Sequence, residues 1–185
     1  MNTPRRVIIL GMKHSGKSTV GKLCAKELSI PFFDLDDLVI EAAGVRPREF
    51  VQTRGVAAFR DLEAKTLHKF LEAQGDSNEW ILATGGGVVE SPRAMQELRD
   101  ARKHGELVVA LNGGAERLYK RVVKKGIPAI LDPQAPYRSY LHLFHGRAPR
   151  YRQAAVRCIE LAGLESQDAA AKLITIIGEY FDVGK

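Results

Sequence analysis

Residues 11–18 carry the side chains and glycines of a phosphate-binding loop. They read Gly-Met-Lys-His-Ser-Gly-Lys-Ser and match the pattern G-x-x-x-x-G-K-[ST]. Glycine lets successive backbone N–H groups turn toward one anion, and the N-terminus of a following helix adds positive potential. Lys17 can reach the β- and γ-phosphates of a nucleotide, and the Ser18 hydroxyl can ligate Mg²⁺. An apolar strand precedes the loop and an amphipathic helix follows it, which favours a nucleotide site over a chance match.

Asp34 and Asp36 stand at the end of the second short strand, where open α/β sheets bind ligands. Asp34 could hold Mg²⁺ through water. Asp36 could accept a hydrogen bond from an acceptor hydroxyl and act as a base. The alternative is helix capping, because Asp is a favoured N-cap residue. We expect one of the two to cap the next helix, and not that both serve only as caps.

Arg60 and Glu63 lie three residues apart in a helical stretch and therefore share a face. Taken alone, the pair reads as a surface ion pair that contributes little to stability. In a binding site, Glu63 would orient the guanidinium so that its fork holds a carboxylate in a bidentate manner. Residues 85–87 are three glycines that end the third strand. They form either a tight turn or a place where a substrate approaches backbone N–H groups closely.

Five short apolar strands alternate with helices along the chain. This order predicts an α/β fold with a parallel sheet and right-handed crossovers. We find no internal repeat and no linker, and therefore expect one domain over residues 1–185, with a substrate-binding region at about 34–63 and a lid at about 113–136. The loop 126–136 is the candidate for the mobile part of the lid. Pro149 is expected to kink or interrupt the helix at 137–154.

Positive charge is concentrated in about a quarter of the chain. The 28 Lys and Arg and 22 Asp and Glu residues give a net charge of +6. Residues 113–157 hold ten basic and two acidic residues, a local charge of +8, so the remainder carries −2. Such a segment suits either a nucleic-acid surface or a site for small anions such as phosphates and carboxylates.

Composition narrows the class of protein. Hydrophobic residues make up 45% and charged residues 27% of the 185 residues, which is ordinary for a globular protein. No apolar run approaches the ~20 residues that span a bilayer, and the N-terminus lacks the apolar stretch of a signal peptide. We therefore expect a cytoplasmic protein. Cys24 and Cys158 are far apart without metal-ligand spacing, so we expect reduced thiols.

In this order, the motifs resemble those of the shikimate kinase family. The matching segments are residues 11–19, 33–36 (Phe-Asp-Leu-Asp), 59–63 (Phe-Arg-Asp-Leu-Glu), 83–87 (Ala-Thr-Gly-Gly-Gly) and 147–151 (Arg-Ala-Pro-Arg-Tyr). Many families share the phosphate loop, whereas the combination of the other motifs at these spacings is far more specific. The resemblance extends over almost the whole chain.

The resemblance implies a three-layer fold like that of the nucleoside monophosphate kinases, with a five-stranded parallel sheet flanked by helices and a closing lid. It also implies a reaction: transfer of the γ-phosphoryl group of ATP, with Mg²⁺, to the 3-hydroxyl of shikimate, in aromatic amino-acid biosynthesis. Shikimate is a small anion that carries hydroxyls, so a carboxylate base and arginine forks suit it chemically.

The resemblance also assigns roles to residues. Lys17 and Asp36 would be catalytic, and Asp36 would also hold the acceptor hydroxyls. Arg60 and Arg147 would clamp the substrate carboxylate. The remaining substrate contacts would come from the backbone at Gly86 with its neighbours Gly85 and Gly87. Ser18 and Asp34 would serve Mg²⁺. The nucleotide-binding set would comprise Gly11, His14, Ser15, Gly16, Lys17, Ser18, Thr19 and Arg121.

Two positions depart from the family pattern. His14 stands where the family usually has glycine, and Ile127 stands where the lid usually has an arginine that reaches the ATP phosphates. Loss of a guanidinium aimed at the transferred phosphate can cost ~10³ in rate. We hypothesise that Arg121, Lys124 or Lys125, just before the lid, replaces it. The alternative is that these residues form a solvated basic face.

Other functions are compatible with parts of the pattern. A related kinase could phosphorylate another hydroxylated anion such as gluconate. A catalytically weakened relative could bind its ligands as a regulator, although the retained Lys17, Ser18, Asp34, Asp36, Arg60 and Arg147 argue against decay. Charge alone suggests nucleic-acid binding, and no DNA-reading motif accompanies it. We therefore expect a monomer that binds ATP and a small acceptor, with neither nucleic acid nor membrane as a partner.

Overall fold

Five strands form one parallel sheet in the computed structural model, which describes residues 4–75, 78–127 and 131–182. The strands are β1 (Arg6–Gly11), β2 (Phe32–Asp34), β3 (Trp80–Ala83), β4 (Leu107–Asn112) and β5 (Arg157–Glu160). Their order in the sheet is β2-β3-β1-β4-β5, and every neighbouring pair is parallel. The carboxyl ends of all five strands therefore lie along one edge, where the loops that carry chemistry meet.

Helices cover both faces of the sheet. They are α1 (Lys17–Leu28), α2 (Leu35–Ala43), α3 (Pro47–Ala73), α4 (Pro92–Lys103), α5 (Ala115–Lys125), α6 (Pro136–Ala154) and α7 (Ser166–Phe181), with a short 3₁₀ helix at Val88–Glu90. Alternate residues of β1 point to opposite faces, as strand geometry requires. Val7 and Ile9 pack with α1 and α7, while Ile8 and Leu10 pack with α2 to α6. The predicted three-layer α/β fold is confirmed.

Two helices each contain a residue that disfavours continuous helical backbone. Gly55 (φ 83°, ψ 164°) interrupts the helical backbone of α3, so α3 consists of two helical segments joined at a kink. The positive φ explains a glycine there, since other side chains rarely adopt it. By contrast, α6 continues through Pro149 to Ala154, so of the two predicted outcomes, a kink or an interruption, the interruption is wrong. The last helical turn tolerates the missing N–H because neighbouring packing holds Tyr151 and Ala154 in the core.

The segment assigned to the lid is described only in part. Helix α5 ends at Lys125, the loop resumes at Leu131, and residues 128–130 lie outside the described residues. Ile127, which replaces the arginine of the family pattern, is about half exposed (49%). Within the described ranges, no helix is both long and apolar enough to cross a membrane.

Candidate active site

The loop between β1 and α1 has the backbone of an anion cradle. Gly11 and Gly16 have positive φ angles of 150° and 99°, and a Cβ at Gly11 would lie 2.7 Å from the carbonyl oxygen of Leu111. His14 adopts φ 65°, a left-handed conformation that non-glycine residues adopt uncommonly but tolerate. The departure from glycine at this position is therefore compatible with the loop. Thr19 follows in the exposed first turn of α1.

Lys17 lies inside this loop and is almost fully buried. Its ammonium group donates to the backbone oxygens of Gly11 and Met12, each at 3.0 Å. Burial lowers the pKa of Lys17 to about 8, although the nearby Asp36 and Asp34 favour the charged form. The hydroxyl of Ser15 is buried and has no hydrogen-bond partner among the described residues. A phosphate oxygen in the loop would satisfy it, so the residues fit a nucleotide phosphate.

The side chains of Ser18 and Asp34 are in contact where the phosphate loop joins α1. The Ser18 hydroxyl donates to Oδ2 of Asp34 at 2.5 Å, which joins the first turn of α1 to the end of β2. Oδ1 of Asp34 accepts the backbone N–H of Asp36 at 3.1 Å and so caps α2. One aspartate of the pair therefore caps a helix, as expected. A hydroxyl and a carboxylate are oxygen ligands that Mg²⁺ prefers, and this pair fits that ion.

Asp36 lies in the first turn of α2, open to solvent yet surrounded by protein. Desolvation by that protein, with the neighbouring charge of Asp34, raises the pKa of Asp36, and the charges of Lys17 and Lys13 partly oppose the increase. A carboxylate with a raised pKa is a better proton acceptor. The raised pKa of Asp36 is compatible with the predicted role of this carboxylate as a proton acceptor.

Two arginines from distant helices meet in a network with two glutamates. Nη1 of Arg60 donates to Glu63 at 2.9 Å, within α3. Nη2 of Arg60 contacts Oε2 of Glu90 at 2.8 Å, and Nη2 of Arg147 on α6 contacts the same oxygen at 2.7 Å. Glu63 is 1% exposed and Arg147 is 5% exposed. Arg60 and Glu63 are therefore part of a buried network and not a surface pair.

Protonation equilibria in this network follow from burial and charge. Burial raises the pKa of Glu63, and the charge and hydrogen bond of Arg60 oppose the increase. Burial also acts to raise the pKa of Glu90, but the hydrogen bonds and charges of Arg147 and Arg60 outweigh it and lower the pKa. Glu90 is accordingly ionised at neutral pH, and it links the two arginines. Sequence reasoning missed this residue, whose only signal is its place three residues after the glycines.

The three glycines after β3 lie directly beside the charged network and the phosphate loop. A Cβ at Gly85 would overlap the carboxylate of Glu63, and one at Gly87 would overlap the guanidinium of Arg60. A Cβ at Gly86 would lie 2.8 Å from the backbone nitrogen of Lys13. The Tyr151 hydroxyl donates to the carbonyl oxygen of Gly86. The absence of side chains thus lets the charged network and the phosphate loop approach the same turn.

Arg121 lies beside the phosphate loop. Its Nη1 donates to the backbone oxygen of His14 at 3.3 Å, from the second turn of α5. Lys124 is exposed, and the side chain of Lys125 lies outside the described residues. Of the three candidates to replace the missing lid arginine, Arg121 is the one with a described contact to the loop.

Together, the phosphate loop, the Ser18–Asp34 pair, the carboxylate of Asp36 and the two arginines define a P-loop kinase of small molecules. The family model described as Shikimate kinase matches residues 13–177. A shikimate kinase of Geobacter sulfurreducens is 32% identical over 176 residues, covering 95% of this chain and 92% of that protein. One of Paracidovorax citrulli is 35% identical over 147 residues, covering 80% and 77%. The chain belongs to the shikimate kinase family.

Solved structures agree with this assignment. The shikimate kinase of Acinetobacter baumannii in complex with shikimate superposes with a TM-score of 0.85 at 25% identity, covering 96% of this chain and 95% of that one. A gluconokinase of Sinorhizobium meliloti superposes with a TM-score of 0.62 at 16% identity, covering 98% and 96%. The second likeness shows a shared fold alone. As a member of its family, the chain is a kinase that uses ATP with Mg²⁺.

Proposed function

We propose that this chain transfers the γ-phosphoryl group of ATP to the 3-hydroxyl of shikimate, and that the residues described above carry the reaction. The observation that supports this best is a convergence. A phosphate loop, a carboxylate base and a two-arginine carboxylate site all border the glycine turn of residues 85–87. Shikimate has the matching groups: a hydroxyl to phosphorylate and a carboxylate to hold.

On the donor side, the loop backbone and Lys17 hold the nucleotide phosphates. Lys17 bonds to loop carbonyls in this structure, so its ammonium group must exchange those bonds for phosphate oxygens when ATP binds. Ser18 and Asp34 would hold Mg²⁺, which neutralises charge on the phosphates. The Ser15 hydroxyl gains a hydrogen bond that it lacks here. These groups fix the γ-phosphorus in position for attack.

On the acceptor side, Asp36 accepts the proton of the 3-hydroxyl as the oxygen bonds to phosphorus. The bond between the γ-phosphorus and the β,γ-bridging oxygen then breaks, and that oxygen leaves as part of ADP. Arg60 and Arg147 hold the substrate carboxylate, which directs the ring so that the 3-hydroxyl faces Asp36. Charge-assisted guanidinium–carboxylate bonds are directional, so they set orientation as well as affinity.

Positive charge near the transferred group comes from Arg121 in this proposal. A guanidinium that already contacts the phosphate loop needs only a change of partner to reach a phosphate oxygen. The lid that we predict over residues 113–136 would close over the nucleotide and exclude water, because bound water would otherwise hydrolyse ATP wastefully.

The proposal includes a monomer that acts on free small molecules in the cytoplasm. Every side chain assigned to the site comes from one chain, so a second subunit is not required for chemistry. Size-exclusion chromatography with light scattering tests the monomer: a mass near 20.4 kDa is expected, and a stable dimer of twice that mass would contradict it.

A coupled assay of ADP release tests the function. Purified protein with Mg-ATP is measured without acceptor, with shikimate and with D-gluconate. Shikimate should stimulate ADP release strongly, gluconate should not, and Asp36→Asn should abolish the stimulation. Asp100→Asn, which alters a partly exposed carboxylate on α4 that pairs with Lys103, is the matched control and should behave like the wild type. ATP binding without stimulation by any acceptor would favour a ligand-binding regulator instead.

A further inference from the structure

Glu90 is the one member of the charged network that has no role in the reaction described above. It ends the 3₁₀ helix Val88–Glu90, between the glycine turn and α4. Its two oxygens receive four hydrogen bonds from the two arginines that are assigned to the substrate carboxylate. A carboxylate of the protein therefore already occupies part of the donor capacity of Arg60 and Arg147.

Both arginines use the same donor atoms, but Arg60 donates twice to Oε2 of Glu90, whereas Arg147 donates once to Oε1 and once to Oε2. The Glu90 carboxylate accepts hydrogen bonds from Nε and Nη2 of Arg60, with donor–acceptor distances of 3.2 and 2.8 Å. It also accepts hydrogen bonds from Nε and Nη2 of Arg147, with distances of 2.9 and 2.7 Å. A guanidinium has five N–H donors in a rigid plane, so its Nε edge and its Nη1–Nη2 edge can each hold one carboxylate. Glu90 uses the Nε edge of each arginine. Nη1 of Arg60 donates one of its N–H groups to Glu63 at 2.9 Å and keeps the other, whereas the described residues leave both Nη1–H groups of Arg147 for a second carboxylate.

Charge balance supports the same interpretation. Arg60 and Arg147 carry two positive charges, and the Glu90 carboxylate lies between them with a lowered pKa, while burial raises the pKa of Glu63, the other carboxyl group of the network. Arg147 is almost fully buried, and a buried guanidinium without a partner is costly. Glu90 stabilises Arg147 in the absence of substrate, and it also fixes the direction in which the remaining donors point.

We propose that Glu90 is a positioning residue that holds the Nε edges of Arg60 and Arg147, so that their outer N–H groups are pre-oriented for the substrate carboxylate. This inference rests on the proposed function, because it assigns the second carboxylate to the acceptor. Glu90 acts through the arginines and does not itself take a proton or contact the transferred phosphoryl group.

Steady-state kinetics of Glu90→Ala tests the inference. The KM for shikimate should rise about tenfold or more, since misplacement of a binding group by about 1 Å can cost on the order of 100-fold. The kcat should change by less than about threefold, because the lost interaction serves binding and not the chemical step. The KM for ATP should stay constant. A lower KM for shikimate would overturn the proposal, because Glu90 would then be a competitor of the substrate.

Conservative variants separate positioning from general stability. Glu90→Asp keeps the charge, and its KM for shikimate should lie closer to the wild type than that of Glu90→Gln, whose amide presents N–H groups to a guanidinium. Glu79→Ala is the matched control, because it removes an arginine-paired carboxylate, that of Arg5, beside the amino end of β3. Its KM should match the wild type, with thermal unfolding measured for all variants.

A double-mutant cycle with Arg147→Lys completes the test. Lysine cannot provide the two-edged fork, and Arg60 alone keeps its bonds to Glu90 in that background, so Glu90→Ala should raise the KM for shikimate by a smaller factor there than in the wild-type background. Fully additive effects would overturn the proposal, since Glu90 would then act independently of Arg147. The wild-type measurement separates a failure of the proposed function from a failure of the positioning role of Glu90. Absence of shikimate-dependent turnover in the wild type would contradict the proposed function itself.

Discussion

The donor and acceptor sides of the site are built by different means. The donor side is a continuous loop, residues 11–18, in which backbone groups and one lysine face the nucleotide. The acceptor side draws single side chains from α2, α3, the 3₁₀ helix and α6, over more than a hundred residues of sequence. The donor side is specified locally, whereas the acceptor side depends on the fold to bring opposite charges together.

This difference has a physical consequence. Backbone N–H groups are neutral donors and need no counter-charge. The loop therefore keeps its conformation without an anion, and its one charged group, Lys17, donates to the backbone oxygens of Gly11 and Met12. Two guanidiniums in a half-buried position repel each other and need carboxylates nearby, which Glu63 and Glu90 supply. We therefore expect the acceptor specificity of this kinase to depend on how the four charged side chains of the network are paired.

The largest expected effect comes from the residue between the two sides. Asp36→Asn removes the proton acceptor while keeping its size, and kcat should fall about 10³-fold, within the range for loss of general-base catalysis. The KM for ATP should be nearly unchanged, because the donor side does not use Asp36 for binding. Retention of more than a tenth of the wild-type kcat would show that another group accepts the proton.

A smaller effect is expected from the acceptor side alone. Arg60→Ala should lower kcat/KM for shikimate about 100-fold, because it removes one arm of the carboxylate site and leaves Glu63 and Glu90 with less compensation. Fluorescence or calorimetric titration should show unchanged binding of ATP. Equal weakening of shikimate and ATP binding would indicate that the two sides are not separable.

Substitution of Arg121 should affect the donor side and leave the acceptor side unchanged, the reverse of the result expected for Arg60→Ala. Arg121→Ala should raise the KM for ATP or lower kcat by on the order of tenfold or more, as expected for a guanidinium near transferring phosphate. The KM for shikimate should not change. Lys124→Ala on the same helix is the control and should have little effect. If Arg121→Ala leaves turnover at the wild-type rate, the substitution at Ile127 is compensated elsewhere.

The smallest effect is a pH dependence confined to the donor side. Burial lowers the pKa of Lys17 to about 8, so the ammonium group of the free enzyme loses its proton as pH rises through that value. The kcat/KM for ATP should then fall by about half at pH 8 and about tenfold per unit above it. Lys17→Arg should shift this descending limb to higher pH if it folds and turns over. A flat profile to pH 9.5 would contradict the assignment.

The same contrast explains what the sequence could predict. The loop at residues 11–18, a helix cap from one of Asp34 and Asp36, and the alternation of strands and helices are local patterns, and the structure bears them out. Arg60 with Glu63 was recognisable as a pair, but its burial was not, since burial depends on α6 and the glycine turn. Glu90 belongs to no recognisable sequence motif. Its contact with Arg147 forms only in the folded chain, because the two residues are 57 positions apart in sequence.

The sequence patterns at Pro149 and Ile127 did not suffice to predict the local structure or the compensating residue. Proline predicts an interrupted helix, yet α6 continues to Ala154 because tertiary packing outweighs one missing hydrogen bond near the helix end. Ile127 predicts a loss of catalytic charge, and sequence alone could not choose among the three basic residues before it. The contact of Arg121 with His14 makes that choice specific.

The position of the new phosphate on the product tests the central claim most directly. The claim is that the arginine network holds the shikimate carboxylate while Asp36 faces one hydroxyl. Phosphorus–proton correlation NMR of the purified product should show a single species with phosphate on the oxygen of carbon 3. A mixture of positions, or inorganic phosphate as the only new phosphorus signal, would contradict this arrangement of the acceptor side.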